Sequence, residues 1–114
     1  TLIQPKASLT SPAGKTVRIW CHAKGVAINN NNPIHWYQQK AGQPLARILY
    51  LANSVAWDPG FGSSFNAGKT TDSAFYLAIE LTAEKSATYY CACWVATSGT
   101  WIKIFGSGTR LIVT

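Results

Sequence analysis

Apolar and polar residues alternate in several short runs along this chain, and turn-forming residues separate the runs. The clearest runs place Val17, Ile19 and Cys21 on one phase and, later, Phe75, Leu77 and Ile79 on one phase. Alternation with a period of two is typical of a β-strand with one buried face, whereas an amphipathic helix repeats about every 3.6 residues. No convincing repeat of the helical kind occurs in the chain. The pattern therefore predicts an all-β fold.

The predicted strands follow from these runs and from the turn signals between them. They are residues 7–11, a strand through 17–21, residues 34–39, residues 47–51, an edge segment ending near 57, a strand through 75–79, a strand at 89–94 and a closing strand at 105–114. Residues 25–33 contain four successive asparagines, which favour turns, so a loop is predicted there. No element is predicted for residues 60–72, and residues 81–86 predict a polar crossing with one short helical turn.

Length and composition indicate a single soluble domain that spans residues 1–114. A hydrophobic content of 47% with 12% charged residues argues against disorder, and no apolar run approaches the roughly 20 residues that cross a bilayer. The chain also shows no basic and then apolar leader. A secreted or surface protein would therefore be represented here in its processed form.

Charge and candidate chemistry exclude several functional classes. The net charge is +6, but the ten basic residues are scattered and form no patch that would follow a nucleic acid backbone. His22 and His35 have no acidic or cysteine neighbours at metal-ligand spacing, so we expect no metal and no cofactor. No pair of carboxylates and no serine in a nucleophile turn indicates catalysis, so the chain is predicted not to be an enzyme.

The stretch from Tyr89 to Trp94 organises the rest of the chain. In an extended strand Tyr89 and Cys91 face one side and Tyr90 faces the other. If Cys91 points into the core, Tyr90 is left on the outer face of its sheet. A large aromatic residue in that position indicates a partner.

Two cysteines, a tryptophan and a tyrosine form a constellation with specific spacing. Trp36 lies 15 residues after Cys21 and 55 residues before Cys91, and each occupies the inward phase of its strand. Tyr89 precedes the second cysteine by two residues, directly after a polar turn, where a tyrosine corner is found. Over essentially its whole length the chain thus resembles the immunoglobulin variable domain, a Greek-key β-sandwich of two antiparallel sheets.

The resemblance implies a Cys21–Cys91 disulfide, with Trp36 and Tyr89 in the core beside it. Closing a loop of about 70 residues stabilises the fold by roughly 4 kcal/mol in the chain-entropy account, and it implies an oxidising compartment. Three cysteines allow only one internal bridge, so Cys93 is left unpaired. It is either a small buried side chain at the base of a loop or a reactive thiol.

The resemblance makes residues 92–104 the third hypervariable segment, and the sequences at its two ends indicate a narrower group of variable domains. Residues 89–94 and 101–114 are similar to the variable and joining segments of a T-cell receptor gamma chain. An antibody light chain and a non-rearranged innate receptor are the alternatives, and the Trp-Tyr-Gln-Gln run at 36–39 suits both gamma and light chains. The gamma resemblance implies an extracellular domain of a membrane-anchored chain at the cell surface.

The resemblance and strand parity together predict two functional surfaces. A second variable domain, such as a delta chain, is expected to pair with Tyr37, Gln39, Pro44, Leu45, Tyr90 and Phe105. A protein or protein-presented antigen is expected at three loops, residues 25–33, 51–56 and 92–104. The candidate contacts are Asn29, Asn30, Asn31, Asn32, Asn53, Ser54, Trp94, Val95, Thr97, Ser98, Gly99, Thr100 and Trp101, of which Trp101 and the asparagine run are the strongest.

Variable domains usually pair an acidic residue six positions before the second cysteine with a basic residue, but this chain has Lys85 and Ser64 at those places, so both halves of the ion pair are missing.

Trp20 and Tyr76 point outward on neighbouring strands by parity, and we expect them to lie together on the sheet opposite the pairing face. They form either a stabilising cross-strand pair or a second docking surface.

Overall fold

The computed structural model describes residues 1–114, which fold into two β-sheets enclosing one core. The strands are β1 (Leu2–Ile3), β2 (Ser8–Ser11), β3 (Thr16–Ala23), β4 (Ile34–Gln39), β5 (Ala46–Leu51), β6 (Val55–Trp57), β7 (Phe65–Thr71), β8 (Ala74–Glu80), β9 (Ala87–Thr97), β10 (Thr100–Phe105) and β11 (Thr109–Val113). One 3-10 turn, Ala83–Lys85, crosses between the sheets at the predicted position. No helix is long and apolar enough to span a membrane.

The smaller sheet has the order β1-β3-β8-β7, and the larger has the order β2-β11-β9-β4-β5-β6, with β10 also paired to β9. The predicted all-β sandwich is confirmed. All pairs are antiparallel except β2 and β11, which run parallel with Leu9 beside Leu111. Strands β2 and β11 come from opposite ends of the chain, so no hairpin turn requires them to be antiparallel.

The core lies between the sheets and contains the constellation found in the sequence. Trp36, Tyr89, Cys21 and Cys91 are fully buried, and a disulfide joins the two cysteines. The phases predicted for β3 and β8 are correct, since Ile19, Phe75, Leu77 and Ile79 are all buried. Cys93 is unpaired and buried, and burial raises the pKa of its thiol. A thiol held protonated in the core has the character of a small packing residue rather than a nucleophile.

Strand β7 forms where the sequence predicts no element. Gly68 lies opposite Tyr76 of β8, and a β-carbon at position 68 would meet the tyrosine ring and hydroxyl. The segment has little strand propensity of its own, because glycine and asparagine disfavour extended pairing. The strand therefore forms because it pairs with β8 and buries Phe65, and not because of its own local sequence.

The closing strand is interrupted, whereas a continuous strand 105–114 is predicted. Strand β10 ends at Phe105, and β11 begins at Thr109. Gly108 has a φ of +92°, and a β-carbon there would lie 2.6 Å from the ring of Tyr90. Because L-residues with side chains avoid this backbone region, the glycine both permits and enforces the break.

Lys85 occupies the place of the usual acidic residue, and its ammonium finds other partners in this fold. Its side chain is largely buried, and the ammonium lies 3.4 Å from both the Glu80 carbonyl and the Thr82 hydroxyl, to which it donates hydrogen bonds. The nitrogen also sits 5.2 Å from the ring centroid of Phe65. The ion pairs of the domain are elsewhere, at Arg47–Asp58 and Lys69–Asp72. A carbonyl and an aromatic face replace the missing carboxylate.

Candidate pairing face and recognition loops

The outer face of the larger sheet gathers the residues predicted to meet a second domain. Tyr37 lies opposite Tyr90 across β4 and β9, and its ring centroid is 5.5 Å from that of Phe105. An open hollow of about 190 Å³ is lined by Gln39, Leu45, Tyr90 and Phe105. The structure thus brings five of the six predicted residues together, and Pro44 is exposed next to Leu45 in the chain. We call this surface the pairing face.

Gln4 holds the base of the pairing face, although sequence analysis does not single it out. Its amide nitrogen donates to the Tyr89 carbonyl over 3.0 Å, while its carbonyl oxygen accepts from the backbone N–H groups of Gly108 at 3.0 Å and Cys91 at 3.3 Å. A β-carbon at Gly106 would collide with the same amide oxygen. Gly106 therefore leaves room for one buried amide that ties β9 to the break after β10. The glycines of the Phe-Gly-Ser-Gly run indicate that another group packs closely against the backbone there. They do not indicate that this group is Gln4, which is 104 residues from Gly108.

Tyr89 forms the corner that its position predicts. Its hydroxyl donates to the Lys85 carbonyl over 2.6 Å and accepts from the Gln38 amide over 3.1 Å. Burial raises the pKa of Tyr89 to about 12. The hydroxyl therefore stays protonated and fixes the start of β9 against the 3-10 turn.

The third hypervariable segment is a hairpin rather than a loop. Residues 92–104, expected to form a loop, lie almost entirely in β9 and β10, with Thr97 paired to Thr100. The two residues between them, Ser98 and Gly99, have φ values of +52° and +77°. Positive φ at both central positions is characteristic of a type I′ turn, whose twist matches that of the flanking strands. Alternating Trp, Val, Ile and Thr residues on both sides extend the pairing to this turn.

Hairpin pairing places the exposed aromatic residues on a definite side. Trp94 lies opposite Lys103, and Trp101 lies opposite Ala96. Strand alternation puts these pairs on the same side as Phe105 and Tyr90. Trp101 is 62% exposed and Trp94 is 39% exposed. Both indoles therefore continue the pairing face upward along the hairpin, while Ile102 and Val95 occupy the opposite side.

The four asparagines of the first loop fall into two groups that differ in exposure. Asn29, Asn30 and Asn31 are exposed, as a contact surface requires. Asn32 is 8% exposed, and its side chain accepts from the Trp94 N–H at 3.0 Å and donates to the Trp94 carbonyl at 2.8 Å. Through this pair of hydrogen bonds, Asn32 joins the first loop to the hairpin. Its expected place among the exposed contact residues is therefore wrong.

The remaining candidate contacts are accessible. Asn53 and Ser54 are exposed in the short connection between β5 and β6. This connection is narrower than the expected loop 51–56, because β5 extends to Leu51 and β6 begins at Val55. At the hairpin turn, Thr97, Ser98, Gly99 and Thr100 are exposed and Val95 is half-buried.

A group of basic residues lies in the middle of the pairing face, and we call His35, Arg47 and Lys103 the basic cluster. Nδ1 of His35 accepts from the Lys103 ammonium at 3.1 Å and from the Arg47 guanidinium at 3.5 Å. Arg47 donates to both carboxylate oxygens of Asp58, at 2.8 and 2.9 Å. Burial first, and then the charges of Lys103 and Arg47, lower the pKa of His35 to about 4.

The low pKa of His35 predicts a pH dependence of stability. An unfolded chain takes up a proton at this ring near pH 6.5, whereas the folded domain takes it up only near pH 4. The free energy of unfolding should therefore fall as the pH drops through this window. We expect His35→Gln, which keeps an acceptor for Lys103, to flatten the decline in urea titrations between pH 7 and 4.5. Replacing the exposed His22 with glutamine should leave the slope unchanged, and an unaltered slope for His35→Gln would contradict the assignment.

Trp20 and Tyr76 lie together on the other sheet, as parity predicts. They are directly paired across β3 and β8, with ring centroids 5.3 Å apart. The Arg18 guanidinium carbon lies 3.8 Å from the Tyr76 ring centroid. On the outer face of this sheet, a guanidinium and two aromatic rings therefore pack against one another.

These contacts favour a stabilising role for Trp20. We expect Trp20→Thr to lower the free energy of unfolding by about 1 kcal/mol, the sum of a cross-strand aromatic pair and a weak cation–π contact. Chemical denaturation measures this loss, and the affinity for the partner chain should remain unchanged. Lost association at an unchanged melting temperature would instead support a docking surface.

Comparison with known proteins places this architecture in a family. Residues 4–114 match the immunoglobulin V-set domain. A mouse T-cell receptor gamma chain V region is 34% identical over 98% of this chain and 85% of its own length. Two rabbit proteins, the Ig kappa chain V regions K-25 and 2717, are 36% and 32% identical, each over 98% of this chain and over 95% and 96% of their own lengths. The chain therefore belongs to the immunoglobulin V-set family.

Proposed function

We propose that this chain is the antigen-recognition variable domain of a gamma-type T-cell receptor, which pairs with a second, delta-like variable domain. One observation carries the proposal: the pairing face exposes Leu45 at 41% and Phe105 at 43% around a hollow shared with Tyr90. A contiguous apolar surface of this kind on an otherwise well-packed domain supports a protein interface. The domain is not an enzyme, in keeping with its family.

The gamma assignment rests on the ends of the hairpin. Cys91-Ala92-Cys93-Trp94 and the joining-type ending 101–114 resemble gamma chains, whereas overall identity is similar for the gamma and kappa relatives. The buried Cys93 supports the first of these, since it packs in the core at the point where the hairpin leaves the sandwich. An antibody light chain and a non-rearranged innate receptor are the alternative functions.

Antigen recognition is proposed for the end of the sandwich that carries the first loop, the β5–β6 connection and the hairpin tip. The exposed asparagines supply adaptable hydrogen bonds, and the hairpin turn presents an exposed projection. A protein or protein-presented antigen fits such a projecting surface. The disulfide supports an extracellular location, and the full-length chain is proposed to be anchored at the cell surface.

Sequencing paired receptor transcripts from many single lymphocytes of the source animal tests the function. We expect residues 95–100 to differ between cells while 101–114 recurs, the transcript to continue into a gamma-type constant region, and the same cells to express a delta-like chain. One invariant junction in every cell would indicate an innate receptor. Continuation into an antibody light-chain constant region would indicate an antibody light chain.

A further inference from the structure

The pairing face carries more positive charge than it can neutralise by itself. Asp58 is the carboxylate beside the basic cluster, and both of its oxygens are engaged by Arg47. His35 is neutral at physiological pH, because its pKa is lowered to about 4. The positive charge of Lys103 therefore has no counterion within the domain.

The partners of Lys103 are all neutral. Its ammonium donates to Nδ1 of His35 and to the Tyr37 hydroxyl, and it lies 4.6 Å from the Tyr37 ring centroid and 5.6 Å from that of Trp94. A lysine ammonium has three N–H donors, so one donor remains for a further acceptor. In the isolated domain water can solvate this charge, since Lys103 is only half-buried.

Covering the pairing face removes that water. Lys103 lies between Phe105 and Trp101 along the outer side of β10, so a domain that packs on Phe105 and continues along the hairpin also covers Lys103. A charge that is desolvated without a counterion strongly destabilises a complex. An occupant of this face therefore needs a negative group at this place.

A second copy of the chain does not meet this need. A symmetric pair would bring the same face of both copies together, and each copy would present an unneutralised Lys103. The net charge of +6 adds repulsion between the copies. Charge complementarity selects a different domain.

We propose that the partner variable domain places an aspartate or glutamate carboxylate against Lys103. This inference rests on the proposed pairing function and specifies the chemistry of the partner. The carboxylate accepts a hydrogen bond from the free N–H of the ammonium. It thereby ends a row of hydrogen-bonded polar groups that runs from Asp58 through Arg47 and the neutral His35 to Lys103. The rings of Tyr37 and Trp94 flank the Lys103 ammonium, and they exclude water from its contact with the carboxylate once the pairing face is covered.

The test uses full-length ectodomains of this chain and of the partner chain cloned from the same cell. Binding is measured by biolayer interferometry for Lys103→Glu, for the charge-preserving Lys103→Arg and for Lys15→Glu, a control on the exposed turn before β3 that carries the same change in charge. We expect Lys103→Glu to weaken binding on the order of 100-fold, Lys103→Arg to change it only a few fold and Lys15→Glu to leave it unchanged. Changing the facing partner carboxylate to lysine should restore binding to Lys103→Glu by at least tenfold.

Two outcomes separate this inference from the pairing proposal. If Lys103→Glu binds like the unmodified chain while Phe105→Asp does not bind, the carboxylate contact is refuted and the pairing face stands. If neither variant weakens binding, the pairing face itself is wrong. Stable homodimers of the unmodified chain in sedimentation experiments would also overturn the inference. Should Lys103→Glu melt at a lower temperature, Lys103→Gln gives the same comparison with less repulsion.

Discussion

Replacing Gln4 with alanine is expected to lower the free energy of unfolding by roughly 3 kcal/mol, because each buried polar group left unpaired costs about 1–3 kcal/mol. The substitution removes the acceptor of the Cys91 and Gly108 N–H groups and the donor to the Tyr89 carbonyl. It also opens space beneath Gly106, where the amide oxygen now packs closely. No other single side chain in the domain bonds three separate backbone positions around the break between β10 and β11.

Urea denaturation of the variant, followed by tryptophan fluorescence, measures this effect. Gln43→Ala is the matched control, since Gln43 is exposed and its side chain makes no hydrogen bond within the domain. We expect the control to stay within about 0.5 kcal/mol of the unmodified protein. A loss below about 1 kcal/mol for Gln4→Ala would show that water or a shifted backbone satisfies the freed groups.

Phe105→Asp is expected to abolish assembly with the partner chain while leaving the isolated domain folded. The ring packs on Tyr37 and is 43% exposed, so the core does not depend on it. In a complex the new carboxylate would be desolvated at the centre of the pairing face, and a loss of affinity on the order of 100-fold or more follows. Titration calorimetry with the partner ectodomain measures the loss.

Ile3→Asp serves as the control for this prediction. Ile3 is 42% exposed, much as Phe105 is, but it lies in β1 at the edge of the other sheet. Unchanged affinity for Ile3→Asp together with lost affinity for Phe105→Asp would establish that the effect belongs to the pairing face. Equal binding by both variants would place the interface elsewhere.

The core and most strands could be predicted because their signal is local. Ile19, Leu77 and Ile79 belong to runs of apolar residues at every second position, and a period of two indicates a buried strand face without knowledge of the partner strand. The spacing of Cys21, Trp36 and Cys91 added the long-range arrangement by resemblance. Strand β7 lacked both kinds of signal, since Gly68 has its role only in relation to the Tyr76 ring above it.

The candidate site was predicted less completely, because its polar contacts join distant parts of the chain. Asn32 has the composition of a loop residue, yet its amide bonds the backbone of Trp94, 62 residues away. Gln4 and the basic cluster likewise depend on which strands become neighbours. The hairpin differs from the expected loop for another reason: Ser98-Gly99 is a turn signal, but the family resemblance implies a loop over residues 92–104.

Strand β9 is shared by two partners along one edge, with β11 beside its first residues and β10 beside its last. The interruption between the two partners acts as a mechanical break, because strain or a shift of register in the hairpin ends at Gly106–Gly108 instead of passing into β11. We therefore expect that residues of the hairpin can be exchanged above the break while Leu111 and the lower core keep their positions. On this arrangement, the hairpin tip can vary in sequence, as the proposed recognition function requires, without changing the contacts of the core below the break.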